Sequence, residues 1–156
     1  MSNYSIRQGN KDDLDLIGPL WEKLNELHYN LSPHFKDRFR EMTWEKRKQK
    51  LLEKSREMRI DYVVDNESNA VIGYCISTLE AEESATGELD SLYIDENHRH
   101  SGLGRQLVQR SIEWMDSRGA TTRKLLVGVG NEQVLEFYEQ FGFYPLHIVM
   151  QNVKEK

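Results

Sequence analysis

Residues 88–115, ELDSLYIDENHRHSGLGRQLVQRSIEWM, constrain the fold more than any other part of this chain. Residues 88–94 alternate as a strand, and a polar turn then leads into Leu103, Leu107, Val108, Ile112 and Met115, which recur at helical spacing. That helix closes at Arg118-Gly119, a basic residue before a glycine cap, and residues 125–129 form a second short apolar run. A strand, a helix and a strand in this order pair the two strands in parallel across the helix. Upstream, residues 61–64 and 71–79 flank the turn residues DNESN and read as an antiparallel hairpin. The two patterns together require a mixed, mostly antiparallel sheet carrying helices, an α/β protein.

The remaining elements fit that plan. Residues 5–8 read as a first strand, and Asn10 with Asp13 three positions later forms a capping box. Leu14, Ile17, Trp21, Leu24 and His28 then repeat at helical spacing, while Pro19 must kink that helix or start it afresh. A loop with Tyr29, Pro33, His34 and Phe35 follows. Thr43 caps a second helix whose apolar side is Trp44, Leu51, Leu52, Ser55 and Met58, and its EKRKQK run is the wet face. Asn131 opens a short helix through Phe141 that Gly142 closes, and residues 146–153, LHIVMQNV, read as a last strand. A length of 156 residues, with no repeat or low-complexity linker, is the size of one domain spanning 1–156.

Composition excludes several functions. A formal charge of −5, from 21 Lys and Arg against 26 Asp and Glu, disfavours nucleic acid as a partner. The single cysteine, Cys75, lies in the apolar run VIGYCIS and reads as a buried thiol rather than a nucleophile. The five histidines show no HxxxH or Cys/His spacing, so no metal site is expected. No apolar run nears the ~20 residues that span a bilayer, and MSNYSIRQGN lacks the basic and apolar regions of a signal peptide. The expectation is a cytoplasmic protein with no membrane partner.

Arg99, His100, Gly102, Gly104 and Arg105 stand where the strand hands over to the helix. A helix N-terminus exposes about four N–H groups and the positive end of its dipole, and glycines let an anion approach them. The lysine and hydroxyl of a P-loop are absent, and the third glycine of a dinucleotide fingerprint is missing. With the whole array the identity sharpens. LYIDENHRHSGLGRQLV resembles the pyrophosphate-binding motif [RQ]-x-x-G-x-[GA] of the GNAT superfamily of N-acetyltransferases, and NEQVLEFYEQFGF resembles that family's second motif. Both lie within residues 87–145, in family order and spacing.

The resemblance implies a GNAT fold whose sheet splays between the motif strand and the parallel strand after it, with acetyl-CoA as cosubstrate. It implies that the N–H groups of His100, Ser101, Gly102, Leu103, Gly104 and Arg105 cradle the pyrophosphate, with charge from Arg99 and Arg105. The backbone of Leu92, Tyr93 and Ile94 would pair with the pantetheine arm like an added strand, with Asn131 and Phe137 on its other side. Tyr138 aligns with the tyrosine that faces the thioester sulfur. Many members carry glycine where this chain has His100.

The expected activity is acetyl transfer from acetyl-CoA to a primary amine of a small molecule, by direct attack in a ternary complex. An alkyl amine with a pKa of about 10.4 is only about 0.04% neutral at pH 7, a handicap of roughly 4.6 kcal/mol, so a base must take its proton. Glu88 and Asp90 share one strand face beside the thioester position, and Asp90, nearer the thioester, ranks first. Each residue also has a plainer role: a packed ring for Tyr138, a solvated or paired carboxylate for Glu88 and Asp90. His28, Tyr29 and Phe35 fall in the family's variable acceptor-side loop. Glu80, Glu82, Glu83, Glu88 and Asp90 point to a cationic acceptor such as a polyamine, an aminoglycoside or a basic amino acid. The alternatives are a non-catalytic acyl-CoA-binding or regulatory module on the same fold, and an acetyltransferase of proteins or peptides. Homodimers are frequent in the family.

Overall fold

The computed structural model describes residues 3–81 and 85–153, which form a five-stranded sheet with helices on both faces. The strands are β1 (Tyr4–Gly9), β2 (Ser55–Asp65), β3 (Val71–Glu80), β4 (Thr86–Ile94) and β5 (Thr122–Leu125), in that spatial order. The helices are α1 (Gly18–Leu31), α2 (Lys36–Glu41), α3 (Trp44–Lys54), α4 (Leu103–Ser117) and α5 (Leu135–Glu139). β1 to β4 pair antiparallel, and β4 pairs β5 in parallel, so the mixed α/β sheet legible in the sequence is the fold observed. Central β3 is buried from Ile72 to Leu79 because both faces are covered, which matches its unbroken apolar run.

One face packs against α1 and α3 through Leu14, Ile17, Trp21, Trp44, Leu51, Ile60, Tyr74, Ile76 and Tyr93. The other packs against α4 through Val63, Ile72, Cys75, Leu89, Leu103, Leu107 and Val108. Between β2, β3 and α4 lies the buried carboxylate of Asp61, paired with Arg59 and Arg110 at 3.1 Å each. Cys75 is fully buried on the same side, where desolvation raises its thiol pKa to about 12, which fits a packing thiol. Among the described residues, no helix is long and apolar enough to cross a membrane.

Several local boundaries differ from the sequence-based expectations. The Asn10–Asp13 capping box opens a 3-10 turn, Lys11–Leu16, and Pro19 enters at the first turn of α1, where its missing N–H costs nothing. The expected loop around Phe35 contains the short helix α2. α3 stops at Lys54, and Ser55 and Met58, expected on its apolar side, begin β2; Met58 and Ile60 alternate inward as a strand. β5 lies earlier than residues 125–129, because Thr122 pairs with Thr86 at the very start of β4. A 3-10 turn, Glu132–Val134, precedes α5, which ends at Glu139 rather than Phe141. Residues 146–153 form no strand: among the described residues their backbone pairs with no strand, and their side chains are exposed.

The link from β5 to α5 is fixed against α1. Gly130 has φ +103, and a Cβ there would overlap the carbonyl oxygen of Leu31 at the end of α1. Gly130→Ala is therefore expected to lower stability by about 1–3 kcal/mol, through backbone strain and that overlap, and to displace the neighbouring Asn131. A thermal melt beside the parent protein checks it; an unchanged melting temperature would contradict the close approach.

Candidate active site

The phosphate-seat candidate is built from the end of β4 and the start of α4. After Ile94 a 3-10 turn, Glu96–His98, leads to a loop in which Ser101 Oγ donates to the His98 carbonyl at 2.8 Å. Gly102 caps α4 with φ +80, and the first helical bond runs from the Gln106 N–H to the Gly102 carbonyl at 3.2 Å. The N–H groups of Leu103, Gly104 and Arg105 thus point out of the helix end, as an anion site requires. A Cβ on Gly102 would meet nothing within 4 Å, so the space above this backbone is open. Gly104 faces α5: a Cβ there would lie 3.4 Å from the ring of Phe137, an ordinary van der Waals contact.

His100 holds φ +64, a left-handed backbone that glycine adopts freely and histidine does not. The departure from the family's glycine thus falls where glycine would be favoured. Arg99 donates from Nε to the Ile94 carbonyl at 2.9 Å and lies over the Tyr93 ring at 5.2 Å. Arg105 contacts Gln140 and lies 5.1 Å above the Phe141 ring. Both arginines are exposed beside the loop, held by these contacts.

β4 parts from β5 after Leu89, the last pair in the parallel ladder. Beyond it the edge of Leu92, Tyr93 and Ile94 has no strand neighbour on that side among the described residues, which leaves backbone groups for an extended ligand. Asn131 opens the 3-10 turn before α5, its side-chain carbonyl accepting from Gln133 Nε2 at 2.7 Å. Phe137, Tyr138, Phe141 and Phe143 pack edge-to-face, with centroids 5.2–6.3 Å apart, against the α4-side core. Burial pushes the Tyr138 phenol pKa up, with a smaller push from Cys75. Its hydroxyl has no hydrogen-bond partner among the described residues, so it is a phenol that keeps its proton and has it to donate.

On the α3 side, β4 carries a bulge: Ile76 faces Ser91 and Ser77 faces Leu89, which leaves Asp90 without a partner. The bulge aims the Asp90 carboxyl at α3. There it contacts Lys54 Nζ through one oxygen and accepts from Thr78 Oγ1 through the other. Its side chain is 0% exposed. Desolvation raises its pKa, the neighbouring Glu88 raises it further, and Lys54 and Thr78 oppose them. Glu88 Oε1 lies 3.1 Å from Lys54 Nζ and 3.9 Å from Lys124 Nζ, and its side chain is 11% exposed. The two carboxyls the sequence placed on one face are therefore joined by a lysine. Sequence reasoning missed Lys54 and Thr78, and it placed Arg47, in the EKRKQK run, on the wet face of α3, whereas its guanidinium turns inward to lie 3.9 Å from Asp90. A signal existed for Arg47 and Lys54: Trp44, Arg47, Leu51 and Lys54 follow i, i+3, i+7, i+10 spacing, so two cations lie on the inward stripe of α3.

The acceptor-side residues separate. His28 packs edge-on to Phe39 at 5.6 Å, and burial lowers its pKa. Tyr29 is clasped by Lys36 and Arg40 at 5.0 and 5.2 Å from its ring and lines a cavity of about 380 Å3 with Glu22, Asn25, Glu26, Phe39 and Arg40. His28 and Phe35 do not line that cavity. Of the acidic residues expected to attract a cation, Glu80 pairs with Lys124 at 3.0 Å, and Glu82 and Glu83 lie outside the described residues.

Residues 21–143 match the model of the acetyltransferase (GNAT) family. The chain belongs to the GNAT family. It is 29% identical over 156 residues to an uncharacterized N-acetyltransferase, MJ1207, of Methanocaldococcus jannaschii, covering 96% of this chain and spanning 64% of that relative's length. Its fold is similar to a GCN5-related N-acetyltransferase from Ralstonia eutropha, with a TM-score of 0.72 at 18% identity over 96% of this chain and 98% of that one. It is also similar to AAC(6')-Iy in complex with a CoA–acetylneamine bisubstrate analogue, with a TM-score of 0.62 at 17% identity over 99% of this chain and 100% of that one.

The open space above Gly102 yields a direct test. Gly102→Val is expected to fill it and to strain a left-handed backbone, weakening acetyl-CoA binding at least about tenfold, roughly 1.4 kcal/mol. Calorimetry on a folded Gly102→Val protein with unchanged affinity would contradict a phosphate seat at this helix end.

Proposed function

We propose that this chain transfers the acetyl group of acetyl-CoA to a primary amine of a small molecule, by direct attack in a ternary complex. One observation carries the reading: the parting of β4 from β5 opens a gap with the α4 N-terminus at one end, the Asp90 bulge on one side and the Tyr138 cluster against the other. Family membership supports acetyl-CoA as the cosubstrate, as does the CoA-based analogue bound by the fold neighbour AAC(6')-Iy. That neighbour is an aminoglycoside N-acetyltransferase, which favours a small amine over a protein acceptor. In this reading residues 1–156 act as one domain, in the cytoplasm, either alone or as a homodimer.

The pyrophosphate rests on the N–H groups of His100 to Arg105, with Arg99 and Arg105 adding charge. Leu92, Tyr93 and Ile94 hold the arm by their backbone, Asn131 and Phe137 border it, and a backbone N–H of this edge polarises the thioester carbonyl. The carboxyl pair of Asp90 and Glu88 takes the amine proton, Asp90 from its position at the bulge and Glu88 as the member that solvent reaches. The amine nitrogen bonds to the carbonyl carbon, the carbon–sulfur bond breaks, and Tyr138 donates a hydrogen bond to the departing thiolate. A non-catalytic acyl-CoA-binding module is the second reading; release of coenzyme A in the presence of an amine panel separates it from the enzyme.

Tyr138→Phe keeps the ring and removes one oxygen that has no hydrogen-bond partner among the described residues, so the melting temperature is expected to hold. Turnover is expected to fall about 10- to 150-fold, the effect of losing about 1.5–3 kcal/mol of hydrogen bonding to developing charge. The Michaelis constant for acetyl-CoA should stay within a few-fold. Parent-like turnover would make Tyr138 a packing residue.

The raised Asp90 pKa sets a pH expectation. Below its pKa the carboxyl already holds a proton and accepts none, so kcat/KM should rise with pH through a limb above the ordinary aspartate value of about 3.9. Asp90→Asn is expected to erase that limb and to lower turnover near neutrality roughly 10²-fold, with a smaller loss at high pH where free amine is abundant. Rate–pH profiles of Asp90→Asn and Glu88→Gln check it, and a larger loss in Glu88→Gln would assign the proton to Glu88.

A further inference from the structure

We infer that the acceptor seat selects an amine that bears a carboxylate on the same or the next carbon, and that Arg47 is the residue that recognises it. The inference rests on the acetyl-transfer reading and names its substrate class. Arg47 and Lys54 share the inward stripe of α3 with Trp44 and Leu51, and basic residues seldom occupy such a stripe without partners. Lys54 has its partners in Asp90 and Glu88. Arg47 does not. Its side chain is 26% exposed, yet its one ion pair among the described residues is the 3.9 Å approach to Asp90, beyond hydrogen-bond reach. A largely enclosed guanidinium has five donors in a planar fork, a geometry that a carboxylate fills with two parallel bonds.

The layering of charge points the same way. Asp90 and Glu88 are 0% and 11% exposed, whereas Arg47 and Lys54, which cover them, are 26% and 32% exposed. An arriving molecule meets the cations first, and the carboxylates beneath already have theirs. A polyamine or aminoglycoside would enter against the field of those cations. An amine with an adjacent carboxylate would enter with it, placing its carboxylate on Arg47 and its amine beside the carboxyl pair next to the bulge. A short spacing between the two groups follows from the 3.9 Å between Arg47 and Asp90.

The test compares three acceptor sets with acetyl-CoA: a pool of the common α- and β-amino acids, the same pool as carboxamides, and spermidine with kanamycin as cationic comparators. Coenzyme A release is followed for the parent, Arg47→Gln and Arg47→Lys, each with a thermal melt. The parent is expected to favour acids over amides by about tenfold or more in kcat/KM, the discrimination available to one charge-assisted pair. Arg47→Gln should bring that ratio near one, and Arg47→Lys should keep part of it, which decides the matter if the glutamine variant fails to fold. Calorimetry of the CoA-loaded protein with each pool reads binding without turnover. Acid-selective binding lost in the variants, with no acetylation of any amine, would uphold the acceptor assignment while defeating the transferase reading. Equal use of acids and amides, a preference for spermidine or kanamycin, an acid preference that survives Arg47→Gln, or no binding of either pool would overturn it.

Discussion

The parallel ladder between β4 and β5 stops after Leu89, and the site geometry depends on that stop. Full pairing would consume the backbone groups of Leu92 to Ile94 and close the gap between the α4 N-terminus and the α5 cluster. The bulge at Asp90 falls just past the last pair. An unpaired residue bends and twists its strand, and here the bend coincides with the point where the neighbouring strand leaves. The same irregularity opens an edge on one side of β4 and turns a carboxyl toward α3 on the other.

Charge organises the two faces of the sheet differently. On the α4 side Asp61 is enclosed with Arg59 and Arg110, a pairing that lies among core contacts. On the α3 side Asp90, Glu88, Lys54, Lys124 and Arg47 form a chain of ions that reaches solvent through its cations. Buried ions need partners because the desolvation cost is several kcal/mol per charge. Arg47 is the member whose partner is least complete, which is why its surroundings say something about a ligand rather than about the fold alone.

Glycines divide their labour along the site. Gly102 leaves open space over a helix end, and Gly130 lets the loop before Asn131 rest on the carbonyl of Leu31. The second fixes the approach of the loop that leads into α5. His100, by contrast, accepts a left-handed backbone without being glycine, so the loop shape is imposed by its surroundings and not by local preference.

The sequence alone was enough for the mixed sheet, its antiparallel hairpin and the parallel pairing across a helix, the handover from β4 to α4 and the two motifs that mark the family. These are local patterns: alternation, helical spacing and glycines at turns are written in consecutive residues. The element ends were less legible, since Ser55 and Met58 satisfy both a helical and a strand spacing, and only packing beside Ile60 chose the strand. Residues 146–153 have a strand's composition, yet alternation names a strand only when a neighbouring edge receives it, and none of the described strands does. The bulge at Asp90, the lysine that joins it to Glu88 and the under-paired guanidinium of Arg47 were decided by tertiary structure. Residues 47, 54, 78 and 90 meet because three elements cross at one place, and ionic contact depends on that distance in space, which no spacing along the chain encodes.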